Sequence, residues 1–361
     1  MKILTISDSF KGTLSSTEIG KMVSDHFKKQ SHETKYVPIS DGGEGFLDVI
    51  SFIKNLKPYQ IKVNGPYFHE TVARYIFDDK EQVAYLELAE ASGITKEPKE
   101  KLRAPFASTY GLGELMVHVI KNHKPKKIVM GIGGSATTDV GAGMLEAMGV
   151  EFIDQKGFRV NRVANFNLLQ AQKLNVRAFN RLIKGIEFVT LSDVLNPLVG
   201  DLGTVRVFSP QKGAQVSDFL VMDKNINHFV NLSKVALKKD VPDFEGAGAA
   251  GGVGFAMKHF FNSKIVSGID EILNLVDFDH LAKEYDVVIT GEGKFDSQSL
   301  NGKVISGIKK HNPKRLIILC GSKAIESNEE VYSIVPNVAT LEDALTKPQE
   351  SFKKLLDNIK L

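Results

Sequence analysis

The chain has 361 residues and a formal net charge of +3, with 42% hydrophobic and 25% charged residues. These values describe an ordinary globular protein of about two domains and exclude a disordered or collagen-like chain. The single cysteine, Cys320, excludes a disulfide framework and a cysteine-based zinc site.

Short segments rich in β-branched and apolar residues alternate with helical periods along the chain. Strands are predicted at residues 2–7, 36–39, 83–88, 127–130, 187–191, 205–208, 286–290, 316–319 and 332–335. Helices are predicted after the capping box Ser15–Glu18, over 46–56, from Ser108, directly after Gly131–Ser135, and around 352–359. This alternation favours an α/β fold with mostly parallel sheets.

Two breaks in the pattern indicate how the chain divides into domains. Gly65-Pro66 interrupts it once, and a glycine- and alanine-rich stretch over 241–254 interrupts it again. We therefore predict a Rossmann-like α/β domain made of residues 1–65 and 265–361. Residues 66–264 form the second α/β domain in this prediction.

Charge and hydropathy also predict the cellular location of the protein and the kind of partner it binds. No apolar run approaches the roughly 18 residues of a membrane helix, and the N-terminal segment 1–7 turns polar too early for a signal peptide. Lysines are scattered among acids, which does not favour a nucleic-acid partner. We expect a cytoplasmic protein with a small-molecule substrate, no nucleic-acid partner and no membrane association.

Glycine-rich polar clusters follow many of the predicted strands. They occupy residues 8–12, 40–45, 131–139, 192–193, 291–296 and 320–322. One Asp-Gly turn of this kind is ordinary turn chemistry. Because open parallel sheets bind ligands at the carboxyl ends of their strands, so many such clusters together favour a binding site.

The residue types in these clusters suit phosphoryl transfer. Backbone N–H groups of Gly133-Gly134-Ser135, between a strand and a helix, would cradle an anion. Lysines suited to neutralising phosphoryl oxygens are Lys11, Lys212 and Lys294. Carboxylates suited to holding magnesium or accepting a hydroxyl proton are Asp41, Glu44, Asp139, Asp193, Glu292 and Asp296. The P-loop motif and the His-Arg-Asp loop of protein kinases are absent from the sequence.

Two alternative functions remain open from the residues alone. Gly131-x-Gly133-x-x-Ala136, with Glu151 twenty residues beyond Gly131, fits a dinucleotide fingerprint and suggests an NAD-dependent oxidoreductase of a small hydroxy acid. Against this, Glu151 begins its apolar run, whereas a ribose-binding acid should end a strand. A non-catalytic protein that binds a nucleotide or organic acid is the other alternative, although so many carboxylates do not favour it.

The clusters, taken in order, resemble the bacterial glycerate kinase family of the non-P-loop, two-domain type. The resemblance rests on Asp8–Ser15, Ser40–Gly45, Glu90–Gly93, Ser108–Leu115, Gly131–Thr137, Gly141–Met144, Asp193, Asn196–Leu198, Pro210–Gly213, Gly246–Gly252, Thr290–Gly293 and Asp296. The sequence departs from the usual family pattern at five positions. The family usually has Asn, Gly, Cys, Thr and Gly where this chain has Thr138, Val140, Ser192, Leu195 and Ser209. These departures leave the substrate range open.

The resemblance implies an ATP-dependent kinase that transfers the γ-phosphoryl group of MgATP to a hydroxyl of D-glycerate. Whether the 2- or the 3-hydroxyl is phosphorylated is left open. The resemblance further implies two α/β domains, one of them discontinuous in sequence, with the active site in the cleft between them.

We assign roles to the candidate residues on this basis. Lys11 and the cradle Gly133-Gly134-Ser135 are expected to bind phosphoryl oxygens or the glycerate carboxylate. Asp193 and Asp41 are the candidates for magnesium binding or hydroxyl activation, and Asp296 is the second candidate base. Ser108 and Thr109 are expected to bind an anion at a helix start. The remaining expected binding residues are Ser9, Gly42, Gly43, Glu44, Lys212, Gly291, Glu292 and Gly293.

Overall fold

The computed structural model describes residues 1–10, 12–296, 299 and 304–361. These residues form two compact units. Unit 1 consists of Met1–Asp41, Asp48–Asn55 and Ser267–Leu361, and unit 2 of Gly42–Leu47 and Leu56–Val266. The domain limits 1–65 plus 265–361 and 66–264 stay a prediction, which limited proteolysis can test.

The strands lie largely where apolar, β-branched segments were predicted. In chain order they are β1 (Lys2–Thr5), β2 (Glu33–Tyr36), β3 (Tyr59–Asn64), β4 (Glu70–Asp78), β5 (Val83–Glu87), β6 (Lys127–Gly131), β7 (Glu151–Asp154), β8 (Ala171–Asn175), β9 (Glu187–Leu191), β10 (Lys264–Val266), β11 (Val287–Phe295), β12 (Leu316–Lys323) and β13 (Glu330–Val335).

The helices begin and end as follows. They are α1 (Ser16–Lys28), α2 (Phe46–Lys54), α3 (Leu88–Ser92), α4 (Tyr110–His123), α5 (Ala142–Ala147), α6 (Arg177–Leu182), α7 (Thr204–Phe208), α8 (Phe219–Leu237), α9 (Ala249–His259), α10 (Gly268–Leu275), α11 (Phe278–Glu284), α12 (Val304–Lys309), α13 (Leu341–Thr346) and α14 (Pro348–Leu356).

Unit 1 contains a five-stranded sheet in the order β13-β12-β11-β1-β2, and all of its strand pairs are parallel. Ile3, Ile289 and Ile317 of the sheet pack with Phe27 and Phe352 in its core. The connection from β1 leads to β2 on one side, whereas β11 leads to β12 on the other. The gap between the carboxyl ends of β1 and β11 is therefore the topological switch point, where such sheets bind ligands.

Unit 2 contains a six-stranded mixed sheet in the order β10-β9-β6-β5-β4-β3. The pairs from β5 through β6 and β9 to β10 are parallel, while β3, β4 and β5 pair antiparallel. A two-stranded ladder of β7 and β8 is separate from it. The α/β class with mostly parallel sheets is confirmed.

Local signals account for much of this structure. The capping box is present, because Ser15 accepts from the N–H of Glu18 and the Glu18 carboxylate accepts from the N–H of Ser15. The second strand ends at Tyr36, where the predicted strand 36–39 begins. The strand predicted at 286–290 continues to Phe295, so Gly291 to Gly293 are strand residues rather than a turn.

Two further predictions of local structure are wrong. Residues 205–208 belong to helix α7 and not to a strand. Val205 is fully buried while Val207 is 41% exposed, so the alternation of valines does not mark one face of a strand, and packing against α8 and α9 overrides β propensity. Gly131–Ser135 opens no helix directly, because a loop precedes α5, which begins at Ala142.

Candidate active site

In unit 1, a cavity of about 410 Å³ lies beside the carboxyl ends of β1 and β11. It is lined by Asp8, Ser9, Asp41, Glu292, Gly293, Lys294, Asp296 and Val304. The cavity therefore stands at the switch point of this sheet. Four of its lining residues are carboxylic acids, which gives it the hard oxygen donors that suit magnesium and the bases that suit a hydroxyl proton.

The loop after β1 is hydrogen-bonded to Gly291 of β11. The N–H of Asp8 donates to the carbonyl of Gly291 at 3.0 Å, and the Ser7 hydroxyl donates to the same carbonyl at 3.1 Å. The N–H of Ser9 donates to Asp8 Oδ1 at 2.7 Å. A Cβ on Gly291 would lie 2.3 Å from the carbonyl oxygen of Leu319, so only glycine allows this close strand contact.

The charged residues of the cavity differ in exposure. Asp8 and Glu292 are buried, whereas Asp41 and Asp296 are half-buried and Lys294 is exposed. Lys294 Nζ lies 3.7 Å from Asp296 Oδ2, and the N–H of Asp296 donates to Ser299 Oγ. The predicted residues Ser9, Asp41, Glu292, Gly293 and Asp296 thus line one cavity. Lys11 lies outside the described residues.

In unit 2, the glycine turn of residues 42–47 lies across the carboxyl ends of three neighbouring parallel strands. A Cβ on Gly42 would lie 2.8 Å from Cβ of Leu191, the last residue of β9. A Cβ on Gly131, at the end of β6, would lie 2.4 Å from the Gly42 carbonyl oxygen. The end of β5 supplies Glu87, whose carboxylate accepts hydrogen bonds from the N–H groups of Gly45 and Leu47.

The predicted cradle packs against this turn. The N–H of Gly133 donates to the Gly42 carbonyl at 3.3 Å, and a Cβ on Gly133 would lie 2.5 Å from Cα of Gly43. Gly134 is exposed and has a φ of +72°, in the left-handed region that favours glycine. Among the described residues, no acceptor receives the N–H groups of Gly134 or Ser135. Backbone N–H groups of a glycine loop that have no acceptor in the protein are suited to binding an anion.

Two buried ionisable side chains, Lys212 and Asp139, form hydrogen bonds with the loop that contains the cradle. Lys212 is 2% exposed, and its ammonium donates to Ser135 Oγ and to the Thr137 carbonyl, both at 2.7 Å. Burial lowers the pKa of Lys212 to about 7, and the nearby Asp139 charge opposes that shift. The structure therefore gives Lys212 a loop-holding role, and its direct contact with a phosphate stays a prediction.

Asp139 is fully buried, and its carboxylate accepts four hydrogen bonds from within unit 2. The donors are the N–H and hydroxyl of Thr109 and the N–H groups of Gly141 and Gly143. Burial raises the pKa of Asp139 although all four bonds favour the carboxylate. These bonds occupy the carboxylate, so Asp139 organises the start of α5 instead of binding magnesium.

Ser108 and Thr109 precede α4 but are fully buried. The Ser108 hydroxyl donates to the Val163 carbonyl at 2.6 Å, and the Thr109 hydroxyl donates to Asp139 Oδ2 at 2.7 Å. Helix α4 has Thr109 as its N-cap, and Ser108 Oγ accepts from the N–H of Tyr110. In this structure the two hydroxyls form hydrogen bonds to other segments of unit 2. That Ser108 and Thr109 bind an anion stays a prediction.

Val140 adopts a backbone conformation that glycine adopts more easily. Its φ is +58°, in the left-handed region, which is a strained conformation for a β-branched residue. Its N–H donates to the Gly251 carbonyl, and a Cβ on Gly251 would lie 1.9 Å from the Thr137 carbonyl oxygen. The glycine-rich stretch that begins α9 thus packs against the back of the cradle loop.

Asp193 and Glu44 complete the predicted set in unit 2. Asp193 is half-buried and lies just beyond Leu191 at the end of β9, the strand end that also contacts Gly42. Glu44 is the exposed residue of the glycine turn. In the described part of the chain, no three His, Cys, Asp or Glu side chains converge as a metal site.

Two residues of these sites were missed as candidates, Asp8 and Glu87. Asp8 stands in the Asp8–Gly12 cluster but was given no role of its own. Glu87 has a clear signal, since it is a lone acid at the end of the apolar strand Val83–Glu87. Burial raises the pKa of Glu87 to about 7.

The dinucleotide fingerprint does not have the geometry that its chemistry needs. The motif should pass from strand directly into helix, but the chain after β6 forms a loop up to Gly141. Glu151 begins β7, which pairs antiparallel with β8 outside the parallel sheet. Thr137, Thr138 and Asp139 therefore belong to no helical turn. Separately, none of the described helices combines the length and apolar character needed to cross a membrane.

Comparison with known proteins identifies the family. The sequence matches the glycerate kinase family over residues 3–361. It is 33% identical to a glycerate kinase of Bacillus subtilis (strain 168), covering 99% of this chain and 97% of that protein. It is 32% identical to a glycerate 2-kinase of Escherichia coli (strain K12), covering 99% and 95%. The structure resembles that of a glycerate kinase 2 candidate from Salmonella typhimurium LT2, with a TM-score of 0.83, 31% identity and coverage of 99% and 96%. The chain belongs to the glycerate kinase family.

Proposed function

We propose that this protein transfers the γ-phosphoryl group of MgATP to a hydroxyl of D-glycerate and releases phosphoglycerate and ADP. The observation that carries this is the acid-lined cavity at the switch point of unit 1, in a chain of the glycerate kinase family. The name of the Escherichia coli relative favours the 2-hydroxyl as acceptor.

The residues supply the two things that phosphoryl transfer asks of a protein, which are positioning and charge stabilisation. In our proposal, the N–H groups of Gly134 and Ser135 bind phosphoryl oxygens or the substrate carboxylate. Asp41 or Asp193 accepts the proton of the attacking hydroxyl, and Asp296 is the second candidate for this role. Proton removal makes the hydroxyl oxygen a better nucleophile toward the phosphorus.

Magnesium fits the oxygen donors present. Mg²⁺ commonly takes one or two protein carboxylates and completes its shell with phosphate oxygens and water. Asp41 and Asp193 are the carboxylates that we propose to hold it, and the bound ion would neutralise charge on the phosphates. Asp8 and Glu292 are further carboxylates of the same cavity as Asp41.

The residues below the cradle have a supporting role in this proposal. Lys212 and Asp139 fix the loop from the protein interior, so the glycine N–H groups are oriented before the substrate arrives. Preorganised donors of this kind stabilise developing charge without reorganisation during the reaction.

The test is ADP release from MgATP with and without D-glycerate, followed by phosphorus NMR of the product. Glycerate-dependent ADP release is expected, and the coupling pattern of the product identifies the phosphorylated hydroxyl. A folded protein that releases no ADP with D-glycerate would contradict the proposal. Other hydroxy acids and NADH are then screened, which tests the departures at Thr138 and Val140 and the oxidoreductase alternative. A cytoplasmic location and the absence of a nucleic-acid partner stay predictions.

A further inference from the structure

Glu87 is a buried carboxylate that none of the assigned roles uses. It is the last residue of β5 and is 2% exposed. Its Oε1 accepts from the N–H of Gly45 at 3.2 Å, and its Oε2 accepts from the N–H of Leu47, also at 3.2 Å. One side chain from the sheet therefore holds two backbone groups of the glycine turn 42–47.

The other contacts of this turn leave little freedom for its glycines. A Cβ on Gly42 would lie 2.8 Å from Cβ of Leu191, and a Cβ on Gly131 would lie 2.4 Å from the Gly42 carbonyl oxygen. A Cβ on Gly133 would lie 2.5 Å from Cα of Gly43. Those contacts fix the first half of the turn by steric fit. The second half, from Gly45 to Leu47, is fixed by the hydrogen bonds to Glu87.

We propose that Glu87 is a positioning residue that holds the turn 42–47, and with it Gly42, Gly43 and Glu44, in the geometry that receives the substrate. This role rests on the proposed function, in which those three residues bind substrate or phosphate. Glu87 acts on the turn through hydrogen bonds to the backbone N–H groups of Gly45 and Leu47.

The chemistry of the two bonds explains why an ionised carboxylate stands here. A carboxylate offers an acceptor oxygen to each N–H group, whereas a protonated carboxyl or an amide places a donor on one of the two positions. The charged groups that act on Glu87 are Glu90 of α3 and Arg74 of β4, which pair with each other at 2.7 Å. Glu44, on the turn itself, is exposed.

The protonation state of Glu87 also predicts how kcat/KM depends on pH. Burial is the main cause that raises the pKa of Glu87 to about 7, with a smaller contribution from Glu90, while Arg74 and the two N–H groups oppose it. As the pH falls through 7, protonation removes the negative charge of Glu87 and makes one of its two oxygens a weaker acceptor. The turn is then held less firmly, so kcat/KM is expected to fall on the acid side.

The experiment compares Glu87→Gln with wild type and with a matched control, Glu114→Gln. Glu114 also accepts a backbone N–H, but from Asn64, and the side-chain amide of Asn64 donates to the same carboxylate. We measure kcat and KM for D-glycerate from pH 6 to pH 9. At pH 8, Glu87→Gln is expected to raise KM about tenfold or more and to lack the acid-side decline of kcat/KM near pH 7. Glu114→Gln is expected to keep the wild-type values and pH profile.

Hydrogen exchange separates failure of this role from failure of the proposed function. Wild-type inactivity on D-glycerate overturns the proposed function, and protection of the amides of Gly45 and Leu47 still reports on Glu87. Equal protection in wild type and Glu87→Gln, or an unchanged KM and pH profile in an active enzyme, overturns the positioning role. If Glu87→Gln does not fold, wild-type exchange is compared at pH 6 and pH 8. After correction for intrinsic rates, weaker protection at pH 6 supports the role, and equal protection overturns it.

Discussion

Replacing Lys212 with Met tests whether a buried, neutral amine supports the cradle loop. The Lys212 side chain is 2% exposed, and its amine donates to Ser135 Oγ and to the Thr137 carbonyl. Burial lowers its pKa to about 7 from an ordinary value of 10.5. Met has a similar length and no charge, so Lys212→Met removes both the proton equilibrium and the two hydrogen bonds.

The sign of the effect follows from where the proton is held. Between pH 7 and pH 10.5 the unfolded chain keeps the proton on Lys212, whereas the folded protein has released it. Unfolding then takes up a proton, so the folded state gains stability as the pH rises and loses it as the pH falls toward 7. The full slope is about 1.4 kcal/mol per pH unit, and it is halved at pH 7 because Lys212 of the folded protein is half protonated there. The advantage of wild type over Lys212→Met therefore grows by about 2 kcal/mol from pH 7 to pH 9.

The assay is urea unfolding at pH 7, 8 and 9, followed by circular dichroism, for wild type, Lys212→Met and Lys264→Met. Lys264 is 72% exposed and pairs with Glu187 at the surface, so its removal is expected to leave the pH dependence unchanged. The two hydrogen bonds lost in Lys212→Met add an offset that does not depend on pH. Parallel stability curves for wild type and Lys212→Met would refute the reasoning, because they would show that Lys212 keeps its proton in the folded protein.

Three further predictions concern the loop and the acids. Asp139→Asn is expected to lower the free energy of unfolding by about 2–4 kcal/mol, because the amide N–H₂ of Asn would face one of the four buried donors that the carboxylate now accepts from. Thermal unfolding beside the exposed variant Asp240→Asn checks this, and equal losses in the two variants would contradict it. Gly133→Ala is expected to lower kcat/KM about tenfold or more, because the new Cβ would lie 2.5 Å from Cα of Gly43 and would push the turn 42–47 away from the cradle. An unchanged kcat/KM would show that this contact does not matter for catalysis. Asp193→Asn is expected to lower kcat by about a hundredfold or more if the residue activates the hydroxyl or holds magnesium; activity within about threefold of wild type, under about 1 kcal/mol of barrier, would remove Asp193 from the chemistry.

Features that depend on neighbouring residues could be predicted from the sequence. The capping box of α1, the strands at 127–130 and 187–191, and the α/β class all follow from hydrophobic period and local hydrogen bonding. The glycine clusters also predicted which residues lie together, because the residues that end parallel strands share one edge of a sheet. The predicted acids Asp41, Glu292 and Asp296 accordingly line one cavity.

Features that depend on burial and on distant partners could not be predicted in this way. Lys212 looked like a phosphate ligand by residue type, but its amine is enclosed and bonded to a loop more than seventy residues away in sequence. Asp139 looked like a candidate for magnesium, yet four donors from α4 and α5 surround its carboxylate. The valines of 205–208 have strand propensity, and packing against α8 and α9 makes the segment helical.

Local chemistry thus specified the repeated strand and helix units, the glycine turns and the acids that surround the site of unit 1. The tertiary structure decided what the charged side chains do. It determines which of them are buried away from water and which backbone groups they form hydrogen bonds with. Glu87 and Lys212 show the reason most clearly. Each is an ordinary charged residue in the sequence, and each holds a loop only because a distant segment is packed over it, out of water.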